Sequence, residues 1–452
     1  MEDMSVKEKK HFIRDLFALA LPMSVQNLIN NAVTIADNLM IGSLGDDCIS
    51  AVSVCWTYSW LYSVFSTAFA SGALLMISRM WGKGDKKGAK QLMSFSLSVC
   101  FLLGLFLFVL TALFPETILR IYSNVESMIP VGVKYLKIMK YAYLVSTISY
   151  ALMILLRSIR KVAVSMATSI GSCLINIFLN YVLIFGHFGF PQLGIEGAAI
   201  ASLSARIFEL AIVLSYLLAV DRDLHFRISD FDPFIAKNTM LSLIEVTLPL
   251  LVIDCLASLV STMQTIITGH ISRYYISANS IVHTSYETIF VFCWGFAQAA
   301  NVIIGNIIGD GDHQKAYRYS FYFVITGLVM GVITSVSLHF IMPYVMSYYH
   351  VADETILLAK QMSYSASIIV LFSCYYTIVG EGVLKAGGNT KRLLKIDLLC
   401  SWLFAIPFGA LCAFVFHLPA YVLYVILRSN NILKTFWSLK KLKDRDWIVQ
   451  FE

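Results

Sequence analysis

Residues 21–104 of the chain recur, in weaker form, 227 positions further on, and a duplication of that length narrows the folds open to it. Leu21-Pro22 returns as Leu248-Pro249, Gly42 as Gly269, Ile49-Ser50-Ala51 as Ile276-Ser277-Ala278 and Phe69-Ala70 as Phe296-Ala297. Gly82-Lys83-Gly84-Asp85 returns as Gly309-Asp310-Gly311-Asp312, and Gly104 as Gly331, with no gap in between. Solenoid units run to about 50 residues, so this period is too long for one. It suits the duplicated half of a membrane transporter, in which two similar bundles enclose a site between them.

Composition points the same way. Of 452 residues, 58% are hydrophobic and 14% charged, with a mean hydropathy of +0.73. Soluble domains average about 25% charged residues. The net charge of +6 sits in short clusters between apolar runs, which is a topology signal and argues against nucleic acid as a partner. The nine cysteines are scattered singly, with no CxxC and no metal-ligand spacing. Met1 to His11 is polar and basic and has no cleavable signal pattern.

A spanning helix needs roughly 20 mainly apolar residues. On that criterion the sequence predicts an all-α polytopic membrane protein of about twelve spans. They fall near 13–41, 50–79, 92–114, 133–156, 163–186 and 194–220, then near 240–270, 277–308, 318–342, 356–384, 396–415 and 418–438. Lysine and arginine gather at the amino terminus, in the 79–90 loop, at Arg157 to Lys161, in the 220–238 segment and in the tail. The positive-inside rule then puts both termini in the cytoplasm. An even number of spans per half makes the halves parallel repeats, related by a pseudo-twofold along the membrane normal. The expected domains are a six-helix lobe over 1–220, a cytoplasmic linker over 221–238, and a second six-helix lobe with its tail over 239–452.

Several segments resemble the multidrug and toxic compound extrusion family. They are ALPMSVQNLINNAVTIADNLMIGSLG (Ala20 to Gly45), NIFLNYVLIFG (Asn176 to Gly186), LGIEGAAIAS (Leu193 to Ser202) and GVLKAGGNTK (Gly382 to Lys391). Lys385 stands where the family has Arg, Asn389 where it has Asp, and Asn180 where many bacterial members have Asp. The resemblance implies a two-lobed exporter of the bacterial plasma membrane, monomeric, without a cofactor and not an enzyme. It would expel amphipathic, often cationic compounds against an inward sodium or proton gradient. Two other transporter readings compete. A major-facilitator chain would carry an Asp-Arg-x-Gly-Arg loop in place of Gly84-Asp85-Lys86-Lys87-Gly88. A lipid-linked oligosaccharide flippase would carry a strongly basic cavity, whereas this interior offers mainly acids, with Arg206 the exception. Neither a protease nor a hydrolase motif supports an intramembrane enzyme.

Intramembrane acids are costly and usually functional, which singles out Asp37 as the ion-coupling carboxylate. Asn176 and Asn180, four apart, share a helix face and supply amide oxygens for a hard cation such as Na+; they serve equally well as polar glue between helices. The resemblance adds the Ala198 carbonyl and the Ser202 hydroxyl to that set. For the substrate, Gln26, Asn27, Asp254, His283 and Glu287 are the candidates, since acids in an apolar cavity suit cationic aromatics. Asp254 occupies the repeat position of Asn27, and His283 and Glu287 share a face. Pro22 and Pro249 each remove a backbone donor and are candidate helix kinks. Trp56, Tyr58, Trp60, Tyr62, Phe65, Trp294 and Phe296 line a cavity or form an interfacial belt. The GxGD loops lack the Lys-Ser/Thr of a phosphate cradle and read as turns.

Overall fold

Bilayer hydrocarbon offers backbone groups no partner, so a chain this apolar satisfies them within helices. The computed structural model describes residues 6–122, 126–221, 234–269, 273–348 and 352–449. Among them the only strand-like pairing is an isolated bridge between Gly388 and Ile448. The helices are α1 (Val6–Gly42), α2 (Asp46–Gly82), α3 (Lys86–Leu113), α4 (Pro115–Tyr122), α5 (Ile129–Ser158), α6 (Val162–Phe185) and α7 (Ile195–Ser215). They continue with α8 (Lys237–Gly269), α9 (Arg273–Gly309), α10 (His313–Tyr348), α11 (Asp353–Tyr376), α12 (Thr390–Asp397), α13 (Ile406–Phe414), α14 (Ala420–Leu427) and α15 (Ser429–Asp444). Wider π-helical turns extend α7 over Tyr216–Val220 and α11 over Thr377–Leu384, and join α12 to α13 over Leu398–Ala405.

Ten helical segments among the described residues are long and apolar enough to cross a membrane. The expected span at 50–79 falls within the 37-residue α2. The span expected at 418–438 is instead two helices, the 8-residue α14 and the 16-residue α15, meeting at Arg428. The polar run Arg428-Ser429-Asn430-Asn431 interrupts the apolar stretch there, and Asn431 N–H turns back to the Arg428 carbonyl at 3.2 Å.

The duplication is visible in local geometry. Gly82 ends α2 and Gly309 ends α9. The following Gly84 and Gly311 both have positive φ, 76° and 85°, a region open chiefly to glycine. Asp85 then accepts from Gly88 N–H and Asp312 from Lys315 N–H, each at 2.8 Å, capping the next helix. Gly104 and Gly331 repeat a different device. A Cβ on Gly104 would lie 2.7 Å from Thr147 Oγ1, and one on Gly331 would lie 3.0 Å from the Leu371 carbonyl oxygen. Both glycines let two helices approach closely, α3 against α5 and α10 against α11.

The chain divides into two compact units, Val25–Leu243 and Met1–Ser24 with Ile244–Glu452. The division differs from the expected lobes of 1–220 and 239–452, because residues 6–24 group with residues 244–449. The cause is side-chain packing on one half of α1. Phe12 meets the rings of Tyr319 and Phe323 edge-on, both at 5.1 Å. Phe17 meets Phe296 at 5.8 Å, and Ser24 Oγ donates to the Phe292 carbonyl at 3.3 Å. Of the expected linker, residues 222–233 lie outside the described residues.

In the unit of residues 25–243, α5 packs against α2, α3 and α7, and α6 against α7. Its buried core includes Ile41, Tyr58, Leu119, Leu136, Tyr143, Ile184 and Ala198. The other unit buries Tyr275, Leu338, Met362, Ala366 and Tyr424, with α11 packed against α9, α10, α14 and α15.

Candidate functional site

The unit of residues 25–243 encloses a cavity of about 400 Å³. Drug-sized ligands occupy pockets of about 300–1,000 Å³, so the space is large enough to hold one. One wall is a stripe of α1: Gln26, Asn30, Val33, Thr34 and Asp37. Their spacing of three and four residues keeps them on one helix face. The opposite walls carry Trp56 from α2, Tyr135, Tyr143, Tyr150 and Arg157 from α5, Asn176 from α6, and Ser202, Arg206 and Glu209 from α7.

At one end lies Asp37. Its Oδ1 accepts from Asn180 Nδ2 at 2.5 Å, and the same amide donates to Asn176 Oδ1 at 3.2 Å. Asn176 Nδ2 in turn donates to Ser202 Oγ at 3.4 Å. Asn180 is fully buried, and its own Oδ1 has no hydrogen-bond partner among the described residues. A buried amide oxygen without a partner is costly to leave so. Three helices supply this chain of polar groups, α1, α6 and α7, so its geometry depends on their packing.

The other end is held together by Gln26. Its Nε2 donates to Ser169 Oγ at 2.8 Å, and its Oε1 accepts from Arg157 Nη2 at 2.7 Å. Gln26 is 1% exposed, so it acts as a strut between α5 and α6. On α7, Arg206 Nη1 donates to Glu209 Oε2 at 2.6 Å, and Ser149 Oγ donates to Glu209 Oε1 at 3.3 Å. The cavity wall therefore bears two arginines and two acids, where the sequence had pointed to acids with one exception.

Asn27 is half-buried and does not line this cavity; Asn30, three residues on, does. Ala198 is buried in the hydrophobic core beside Ile41, one turn from Ser202, and lies off the cavity wall. Asp254, His283 and Glu287 belong to the other unit. Asp254 is half-buried on α8, while His283 Nε2 and Glu287 Oε1 are 3.7 Å apart on α9 and about half exposed. Helices α1 and α8 run on through Pro22 and Pro249. Tyr58 is buried, with its hydroxyl 2.9 Å from Thr111 Oγ1, and Phe296 is buried against Phe17, whereas Trp294 is partly exposed. The side chains of Trp60, Tyr62 and Phe65 lie outside the described residues.

Sequence reasoning passed over Asn30, Thr34, Arg157 and Glu209. The i, i+4, i+8 polar spacing of Gln26, Asn30 and Thr34 was a usable signal. Arg157 was not legible, since a basic residue near a helix end reads as a cytoplasmic charge. The buried ion pair of Asp397 and Lys434 in the other unit was passed over as well.

A two-unit helical membrane protein with a polar cavity around an intramembrane acid defines a transporter class. The MatE family model matches residues 22–182 and 249–411, one match in each half of the duplication. The chain belongs to this family, the multidrug and toxic compound extrusion transporters. A relative from Rhizobium meliloti (strain 1021), described as "Probable multidrug resistance protein NorM", is 25% identical over 419 residues, 90% of this chain and 87% of that one. A protein of the same description from Thermotoga maritima is 24% identical over 441 residues, 96% of this chain and 93% of its own. The crystal structure of the Vibrio cholerae MATE transporter VcmN in the bent form has the same fold. Its TM-score is 0.87 at 16% identity, over 97% of this chain and 99% of that one.

Proposed function

We propose that this protein is a secondary active exporter of amphipathic organic compounds in the plasma membrane. It works by alternating access and draws on an inward Na+ or H+ gradient through Asp37. Family membership and the names of the relatives support export of drugs. The observation that carries the coupling role is the hydrogen-bonded series Asp37, Asn180, Asn176 and Ser202 at one end of a cavity large enough for a substrate. The basic clusters between apolar runs support cytoplasmic termini.

In the ion-free state the Asp37 carboxylate is held by the Asn180 amide N–H. A proton or sodium ion arriving at Asp37 competes with that N–H. Asn180 then has its Oδ1 to offer, and a half-turn of the amide brings it to the cation or to the new carboxyl proton. Asn176 Oδ1 and Ser202 Oγ complete an all-oxygen set of the kind hard cations prefer. With the charge on Asp37 neutralised, a cationic substrate loses its ion-pair partner and leaves. Each inward ion releases about 2.3 kcal/mol per 100 mV, which is the driving force such a cycle has available.

The test is efflux of a fluorescent organic cation from proteoliposomes under an imposed sodium or proton gradient, with wild type beside Asp37→Asn. Wild type exports under one of the gradients and Asp37→Asn does not. Export by Asp37→Asn with its ion dependence intact overturns the assignment.

A further inference from the structure

We infer that the face of α5 turned away from the cavity carries a binding site for an anionic phospholipid, built on Lys134, Lys137 and Lys140 in the leaflet remote from the Gly82–Asp85 turn. The three ammonium groups take the phosphate-bearing headgroup, and the seam between α3 and α5 takes an acyl chain. The site goes beyond the export reading and does not rest on it.

The lysines recur every three residues, so neighbours in the series meet along α5. Tyr135, Met139, Ala142 and Tyr143 of the same helix line the cavity. At 3.6 residues per turn, Lys134, Lys137 and Tyr141 then fall on the opposite side, where all three are exposed. Among the described residues none of the three lysines has a hydrogen bond or an ion pair. The nearest described acids in the sequence, Glu116 and Glu126, are both taken by Arg120, at 3.0 and 2.5 Å. A lysine stem lies comfortably on apolar surface, but its ammonium at membrane depth needs a counter-charge or water. The protein supplies no counter-charge here, and the lipid headgroup is the anion within reach.

Lys140 fixes the depth. Its ammonium lies 5.5 Å from the centre of the Phe108 ring and 5.2 Å from that of Tyr141, and the two rings are 5.3 Å apart. Phe108 stands five residues before the end of α3 at Leu113, about 7.5 Å into the helix. From Lys140, Lys137 and Lys134 rise by about 4.5 Å and about 9 Å, which spans the first turn of hydrocarbon and the headgroup layer. The rings cover only part of the Lys140 ammonium, which has three N–H donors. Deeper along α3, Phe101 and Leu105 share the face of Phe108 and are exposed. Gly104 draws α3 onto α5 at that level, beside Thr147. Three cations without an acid disfavour a headgroup that carries its own ammonium, and favour one of net negative charge. The apolar seam beneath them favours a lipid over a free anion.

The experiment places the full chain in phosphatidylcholine nanodiscs with a trace of photoactivatable lipid, either diazirine-acyl phosphatidylglycerol or diazirine-acyl phosphatidylcholine. After irradiation, labelled peptides are mapped by mass spectrometry. In wild type, residues 101–108 and 141–148 are expected to take more label from the phosphatidylglycerol probe, by about fivefold for each lysine its headgroup reaches. Combining Lys134→Gln, Lys137→Gln and Lys140→Gln brings that ratio to about one. Combining Lys134→Arg, Lys137→Arg and Lys140→Arg keeps the charge and keeps the ratio. Should the glutamine variant fail to fold, the exposed single substitution Lys137→Gln carries the test, with a fall of about fivefold. Equal labelling of wild type by the two probes, or a ratio unmoved by either glutamine variant, overturns the site. Loss of the preference on adding excess glycerol 3-phosphate, a headgroup without chains, overturns the assignment to a lipid.

Discussion

Replacing Lys434 by methionine should destabilise the unit of residues 244–452 heavily, and the structure says by how much. Lys434 on α15 donates to Asp397 at the end of α12, with the two side chains 7% and 8% exposed. The ammonium also lies 5.3 Å from the centre of the Tyr376 ring. Asp397 Oδ2 has no partner among the described residues, so Lys434 is the chief compensation for this buried carboxylate. Removing one member of a buried pair costs about 3–5 kcal/mol, because the other charge stays behind without it. At roughly 2–4 °C per kcal/mol for a unit of this size, the melting temperature falls by on the order of 10 °C. Lys434→Met with Asp397→Leu removes both charges and should recover most of the loss, since replacing a buried pair with apolar side chains is often neutral. Scanning fluorimetry of the detergent-purified variants reads both numbers. A single variant within about 1 kcal/mol of wild type, or a double variant no better than the single, would refute the reasoning.

Gly104→Val should separate α3 from α5, since the new Cβ meets Thr147 Oγ1 at 2.7 Å; overpacking of this kind costs about 1–3 kcal/mol, visible in the same thermal scan. A second expectation concerns pH. The hydrogen bond from Lys441, and then that from Arg392, hold the Asp446 carboxyl below its ordinary 3.8. A depressed carboxylate contributes stability that is complete above its unfolded value and is lost as pH falls through the folded one. The segment around Asp446, also fastened by the Tyr317 hydroxyl to the Arg445 carbonyl at 2.5 Å, should therefore loosen only below about pH 4. Amide exchange over 440–449, compared with Asp446→Asn, measures it; an equal loosening of wild type and variant across that range excludes Asp446 as the cause.

The helical architecture, the duplication and the candidate group of Asp37, Asn176 and Asn180 were all legible in the chain itself. Apolar runs of membrane length leave the backbone no alternative to helices, and a 227-residue repeat of Gly-x-Gly-Asp turns carries its caps with it. A carboxylate within such a run marks itself, and spacing alone puts Asn176 and Asn180 on one face of α6, while the packing of α1 on α6 brings that face to Asp37. Those features are periodic or local, so they survive without coordinates.

What the tertiary structure alone decided is long-range. Phe12 and Phe17 tie the first half of α1 to residues beyond 290, a contact that no spacing within α1 announces. Gln26, a candidate substrate contact in one dimension, lines the cavity in three and there also braces Arg157 and Ser169. Whether Arg206 or Glu209 presents its charge to the cavity depends on which of the two Ser149 reaches, and Ser149 is sixty residues away in the chain. Helical periodicity says which residues share a face; only packing between helices says what that face meets.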